Sequence, residues 1–116
     1  MGKKREANIN VTAGSGNVFA DMGLAEPEEE LTKAQLASQI RHIIRRQRLT
    51  QVAAAALMDI DQPKVSALFN GRLANFSSER LMRLLTTLGQ DVDIMVKKKP
   101  RNRAQGRIRV ISEARA

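Results

Sequence analysis

Two glutamine side chains in this sequence are the best suited to recognition by hydrogen bonding. Gln51 and Gln62 each stand just inside the start of a short helical pattern. A primary amide both donates and accepts hydrogen bonds, so it can pair with the edge of an adenine or bind a phosphate oxygen. Lys64 can reach a guanine or a phosphate, and Ala67 can meet the methyl group of a thymine. These residue types at this spacing predict contacts to double-stranded DNA.

The residues around the two glutamines predict two short helices joined by a tight turn. Thr50 and Asp61 are of types that cap helices, and Pro63 fits a first helical turn, where no backbone donor is lost. The alanines at residues 53–56 give the first helix the small contact face that a close crossing requires. Asp59 occupies the turn, where glycine is more usual. This is the pattern of a helix-turn-helix, whose second helix presents its N-terminal turns to the major groove.

The helical patterns predict a mainly α domain at residues 27–89, a bundle of four to five helices. Pro27 and the three glutamates after it suit the first turn of a long helix with an aliphatic stripe, and a final helix starts near Ser77. Residues 1–26 contain glycines and a small apolar cluster, and we expect them to form a partly flexible arm.

The C-terminal residues 90–116 predict a small β element. Residues 91–96 alternate between polar and apolar types, which is the period of a strand. A lone strand must pair, either with residues 107–111 as a hairpin or with the same strand of a second subunit. In the second case the element makes the homodimer. The basic residues between the two segments either track DNA phosphates or form a charged hairpin loop.

Composition and charge limit the functions that this protein can have. The chain has 116 residues, no cysteine and a net charge of +8, which favours an anionic partner. Residues 6–30 hold six acids and no base, whereas residues 97–109 hold seven bases and no acid. The absence of cysteine and of a long apolar run indicates a cytoplasmic protein with no membrane span and no disulfide. No nucleophile with a base, catalytic carboxylate pair or metal-ligand cluster is recognisable, so we expect no enzyme activity, no cofactor and no metal.

The helix-turn-helix region resembles the lambda-repressor-like, Xre-type DNA-binding domain, most closely at residues 65–71 (VSALFNG) and in outline over residues 31–89. The resemblance implies that Gln51 contacts a phosphate, and that Gln62 reads a base edge and braces Gln51. It also implies that Lys64, Ser66 and Ala67 face the groove and that Asn70 contacts a phosphate. With Arg72 as a further backbone contact, the predicted DNA-binding residues are Gln51, Gln62, Pro63, Lys64, Ser66, Ala67, Asn70 and Arg72.

A resemblance to a more specific group of proteins covers nearly the whole chain. Residues 17–24 (NVFADMGL) followed by the long helix and residues 62–66 (QPKVS) resemble small HigA-type antitoxins. The resemblance implies a protein that neutralises a RelE-like ribonuclease toxin and represses the shared operon. The acidic arm and Phe19 are then the candidate toxin contacts. One departure is that the repressor family continues into a further dimerising helix, where this chain turns to a strand pattern.

Three readings of the function differ in their partners. The first is a homodimeric, sequence-specific repressor that binds an inverted-repeat operator, most simply as the antitoxin and autoregulator of a toxin–antitoxin operon. The alternative is a stand-alone or phage-derived Xre-type regulator without a toxin. A nonspecific architectural protein would instead show strong salt dependence and no sequence preference.

Overall fold

A computed structural model describes residues 27–113 and contains four α-helices in this part of the chain. They are α1 (Pro27–Arg46), α2 (Gln51–Met58), α3 (Gln62–Phe69) and α4 (Ser78–Thr87). None of these helices is long and apolar enough to cross a membrane. The arm predicted for residues 1–26, with its apolar cluster, lies outside the described residues.

Helix α1 follows the predicted pattern of charge and burial. It begins at Pro27, has three glutamates in its first turn and ends with Arg45 and Arg46 in its last turn. Acids near the N-terminus and bases near the C-terminus both interact favourably with the helix dipole. The aliphatic stripe is buried, comprising Leu36, Ala37, Ile40, Ile43 and Ile44. The helix thus supplies one wall of the core.

Helices α2 and α3 form the predicted helix-turn-helix, and each is capped by the predicted residue. The hydroxyl of Thr50 accepts a hydrogen bond from the amide of Ala53, and Oδ1 of Asp61 accepts one from the amide of Lys64, both at 3.0 Å. Ala54 is fully buried, which lets the two helices approach closely. Asp59 ends α2 with φ +56°, so the turn does use the left-handed conformation that glycine adopts most easily.

The connection between α3 and α4 contributes to the core although it is not helical. Leu73 and Phe76 are both buried there, among the aliphatic side chains of the helices. Lys33, itself buried, donates from Nζ to the carbonyl of Leu73 at 3.4 Å, and Gln47 donates to the carbonyl of Leu88 at 3.0 Å. Lys33 thus joins α1 to the connection before α4, and Gln47, just after α1, binds the residue that follows α4.

The prediction of a C-terminal strand is wrong, because no strand occurs within residues 27–113. The residue that should have paired in a hairpin uses its amide elsewhere: Val110 N–H donates to Oε1 of Gln35 on α1 at 3.0 Å. Val92 and Val110 are partly buried and pack against the core. Contact with the helices therefore takes the place of strand-to-strand hydrogen bonds, and alternation alone did not reveal this.

Candidate nucleic-acid interface

The N-terminal turn of α3 is open to solvent. Gln62 and Pro63 are exposed and Lys64 is half-buried. Asp61 caps the turn, and its β/extended backbone aims the side chain at the free amides of the helix. The first helical turn is therefore held in place by the cap while its outward side chains remain available to a ligand.

Gln51 and Gln62 lie together on this face. With Pro63 and Ser66 they line a shallow depression of about 280 Å³. Each glutamine is the first residue of its helix, so the N-terminal ends of α2 and α3 open toward the same depression. Helix N-termini carry partial positive charge and attract phosphate groups. The depression thus combines two amide side chains with two positive helix ends.

Lys64 is partly engaged within its own helix turn. Its Nζ lies 3.4 Å from Oδ2 of Asp61, and both side chains remain partly exposed. The amide of Lys64, followed by smaller effects of its ammonium group, lowers the pKa of Asp61 below the ordinary value of 3.8. The cap is therefore ionised at neutral pH, and it keeps a cation close to the exposed turn of α3.

The remaining predicted residues are placed along α3 with different exposure. Asn70 is exposed, and its Nδ2 donates to the hydroxyl of Ser66 at 3.3 Å. Arg72 is exposed just beyond the helix, where its amide donates to the carbonyl of Ala67 at 2.9 Å. Ala67 itself is half-buried against the core, so only part of its methyl surface faces outward. The roles of these residues toward DNA remain predictions.

Two arginines of α1 hold the C-terminal end of α3. Arg41 donates from Nη1 to the carbonyl of Leu68 at 3.0 Å. The guanidinium carbon of Arg45 lies 5.4 Å from the centroid of the Phe69 ring. A cation at the last carbonyls of a helix satisfies acceptors that have no partner in the helix. These two side chains position α3 against α1. The sequence signal was their spacing of four, which places both on one side of α1.

Arg48 stands in a strained turn at the end of α1. Its φ is +56°, in the left-handed region where glycine is favoured. The turn is closed by the amide of Leu49, which donates to the carbonyl of Ile44 at 3.1 Å. Arg48 is exposed and lies three residues before Gln51. Strain of this kind persists where a side chain is needed, so Arg48 is a candidate phosphate contact that its backbone sets apart from Arg41 and Arg45.

The substitution Arg48→Gly should move stability and DNA binding in opposite directions. Glycine adopts this φ without steric cost, so we expect the free energy of unfolding to rise by about 1 kcal/mol. DNA affinity should fall by about two- to fivefold, as expected for one exposed charge contact. Urea unfolding and titration with a duplex measure the two effects. Asp59→Gly is the matched control, since it relieves the other non-glycine left-handed residue within residues 27–113 without removing a cation. Unchanged DNA binding by Arg48→Gly would exclude the contact.

Comparison with known proteins supports the arrangement described above. The sequence model of a family described as "Helix-turn-helix domain" matches residues 18–97. A solved structure named "Putative XRE Family Transcriptional Regulator" is 55% identical in sequence, covers 74% of this chain and 97% of its own, and superposes with a TM-score of 0.71. None of the curated proteins is similar enough to match the chain. From the matched helix-turn-helix family and this similarity over nearly the full length of a relative, we conclude that the chain belongs to the Xre-type helix-turn-helix family.

Proposed function

We propose that the protein is a sequence-specific DNA-binding transcriptional repressor. The observation that carries the proposal is the meeting of Gln51 and Gln62 at one exposed depression, at the N-terminal ends of two successive helices. α3 enters the major groove with Gln62 against an adenine edge, while Gln51 and the end of α2 bind a phosphate. Arg41 and Arg45 keep α3 at a fixed angle to α1, so the reading residues keep their register.

The proposed repressor acts as a homodimer on an inverted repeat. Support comes from residues 94–96, which are exposed apolar side chains on a segment that runs without secondary structure. None of the hydrogen bonds within residues 27–113 involves the backbone of these three residues. Exposed apolar side chains beside open backbone groups form a surface that association covers. A second copy of the chain, related by a two-fold axis, is the occupant we assign to it.

The biological context that we propose is autoregulation by a cytoplasmic antitoxin. Its support is the resemblance of residues 17–24 and 62–66 to HigA-type antitoxins, together with six acids and no base in residues 6–30. An acidic segment suits a basic RelE-like toxin. Co-expression with a small basic protein encoded next to this chain tests the context. Formation of a complex and rescue of growth are expected. Failure of both leaves a regulator without a toxin partner.

The proposed activity is binding rather than catalysis. Recognition of a base edge and of phosphates needs amide and cationic groups, and the depression is lined by two glutamines, a proline and a serine. Within residues 27–113, no group of His, Cys, Asp or Glu side chains is placed to hold a metal ion. The proposal itself includes no cofactor and no chemical step.

Selection of DNA from a random duplex pool at near-physiological salt tests the function, and Gln62→Ala tests the residue. We expect enrichment of a palindromic motif with half-sites about one helical turn apart. On the selected site Gln62→Ala should cost roughly 1–3 kcal/mol of binding free energy and relax the preference at one base pair.

The conservative variant Gln62→Glu is the control for the fold of α3. It preserves the size of the side chain but removes the amide donor, so it should lose adenine preference without loss of helix structure. Equal weakening of Gln62→Ala on all sequences would make Gln62 a phosphate contact. No enrichment by the wild-type protein, with binding that vanishes as salt rises, would refute the repressor proposal.

A further inference from the structure

A second concentration of positive charge lies far along the chain from α3. Residues 97–109, hereafter the basic loop, contain no acid and seven bases: Lys97, Lys98, Lys99, Arg101, Arg103, Arg107 and Arg109. Six of these side chains are exposed and Arg103 is half-buried. The sequence left open whether these residues track DNA phosphates or form a charged hairpin loop, and the proposed action of α3 does not use them.

The basic loop is anchored to the helices at both ends. Val92 before it and Val110 after it pack against the core. The amide of Val110 also donates to Oε1 of Gln35 at 3.0 Å. At the tip, Arg103 donates from its amide to the carbonyl of Pro100 and from Nη1 to the carbonyl of Gln105, both at 3.3 Å. The cations are therefore displayed on a turn with a defined base.

Within residues 27–113, no carboxylate forms an ion pair with the basic loop. The ion pairs found in residues 27–113 join Lys64 to Asp61 and Arg83 to Glu79, and none includes a lysine or arginine of the loop. The neighbouring guanidinium groups of Arg103 and Arg109 lower the pKa of Arg107. Like charges held this close repel one another, so a ligand with several negative charges in a row relieves the repulsion.

The base of the basic loop emerges from a different side of α1 than the contact with α3. Gln35 binds the loop, whereas Arg41 binds the end of α3. At 3.6 residues per turn, these positions lie about 120° apart around the helix. A chain of seven residues spans at most about 25 Å, so Arg103 lies within that distance of the Val110 anchor. A loop of this length can reach several phosphates of a duplex, since each strand carries one phosphate per about 3.4 Å of helix axis.

We propose that the basic loop is a second DNA contact, which binds backbone phosphates flanking the sequence read by α3. The inference rests on the proposed DNA-binding function and extends it beyond the helix-turn-helix. In this role the lysines and arginines of the loop meet the negative charge that all sequences share, and the loop reads no base. It adds affinity and salt dependence, while Gln62 supplies the sequence preference.

The test uses the full chain with Lys97, Lys98 and Lys99 all changed to Gln. Binding is measured at several salt concentrations on two duplexes, one with the selected site alone and one extended by about ten base pairs on each side. On the extended duplex we expect the slope of log affinity against log salt to fall by about two to three, and affinity to fall about tenfold or more. On the trimmed duplex the variant and wild type should differ little.

The matched control changes the same three lysines to arginine, which preserves the charge and should preserve the slope. Sedimentation must give the same mass for all three proteins, so that a change of assembly is not mistaken for a lost contact. An unchanged slope on the extended duplex would overturn the proposal, as would an equal loss on both duplexes. Loss of binding to single-stranded RNA with unchanged duplex binding would assign the loop to RNA instead. If the wild type selects no DNA site at all, it is the repressor function that fails.

Discussion

Replacing Ile94 and Val96 together with lysine is expected to convert the proposed dimer into a monomer and to weaken operator binding by more than about a hundredfold. The two side chains are 77% and 92% exposed in the single chain, so lysine at these positions does not disturb the fold of the monomer. In the dimer, the new ammonium groups would be buried against apolar surface without partners, at a cost of several kcal/mol. A monomer then contacts one half-site where the dimer contacts two. Sedimentation equilibrium and titration with the selected duplex measure the two effects.

Ile111→Lys is the matched control for this pair. It adds a lysine at another exposed apolar position, outside residues 94–96, and we expect this variant to remain dimeric. Deletion of residues 90–116 should also give a monomer, but it removes the core contacts of Val92 and Val110 as well. The point variants therefore separate association from stability. A dimer mass that is the same for the double variant and the wild type would exclude this surface as the interface.

The substitution Phe76→Ala should lower the free energy of unfolding by about 3–5 kcal/mol. Phe76 is 2% exposed and is the largest of the fully buried side chains in residues 27–113. Removing the ring leaves a cavity in the hydrophobic core. A loss of this size is a large part of the total stability of a small domain, typically about 5–15 kcal/mol. Urea unfolding followed by circular dichroism measures it.

Phe69→Ala provides the comparison within the same chain. Phe69 is half-buried at the end of α3 under the guanidinium group of Arg45, so its truncation exposes the site to water and leaves no closed cavity. We expect a loss of about 1–2 kcal/mol there. A loss for Phe76→Ala no larger than that for Phe69→Ala would show that the connection between α3 and α4 is not part of the core in solution.

The helix-turn-helix was predictable because its signals are local. Thr50 and Asp61 act within three residues of themselves, and the alanines at residues 53–56 only need to be small. The apolar period of α1 repeats along a single helix, so its buried face follows from spacing alone. The resemblance to the Xre-type domain also implied that Gln62 lies beside Gln51, and both residues line one depression in the structure.

Residues whose roles depend on distant parts of the chain were not predictable in the same way. Leu73 and Phe76 belong to no periodic pattern, and the sequence signal was only that apolar residues stand in an otherwise polar connection. From the sequence alone, Arg41 and Arg45 could equally be phosphate contacts or cations at a helix end. Their partners at Leu68 and Phe69 lie more than twenty residues away, and only packing brings them together.

The C-terminal residues show most clearly which features the sequence determines and which features the tertiary structure decides. The sequence by itself determined the helices, their caps, the exposed amides and the separation of charge, because hydrogen bonds and periods within a few residues specify each of them. It also indicated that residues 91–96 are extended, but not what they pair with. The tertiary structure decided that Val110 binds Gln35 and that no strand forms within residues 27–113. An extended segment cannot satisfy its own hydrogen bonds, so its partner is set by whichever surface the fold brings near.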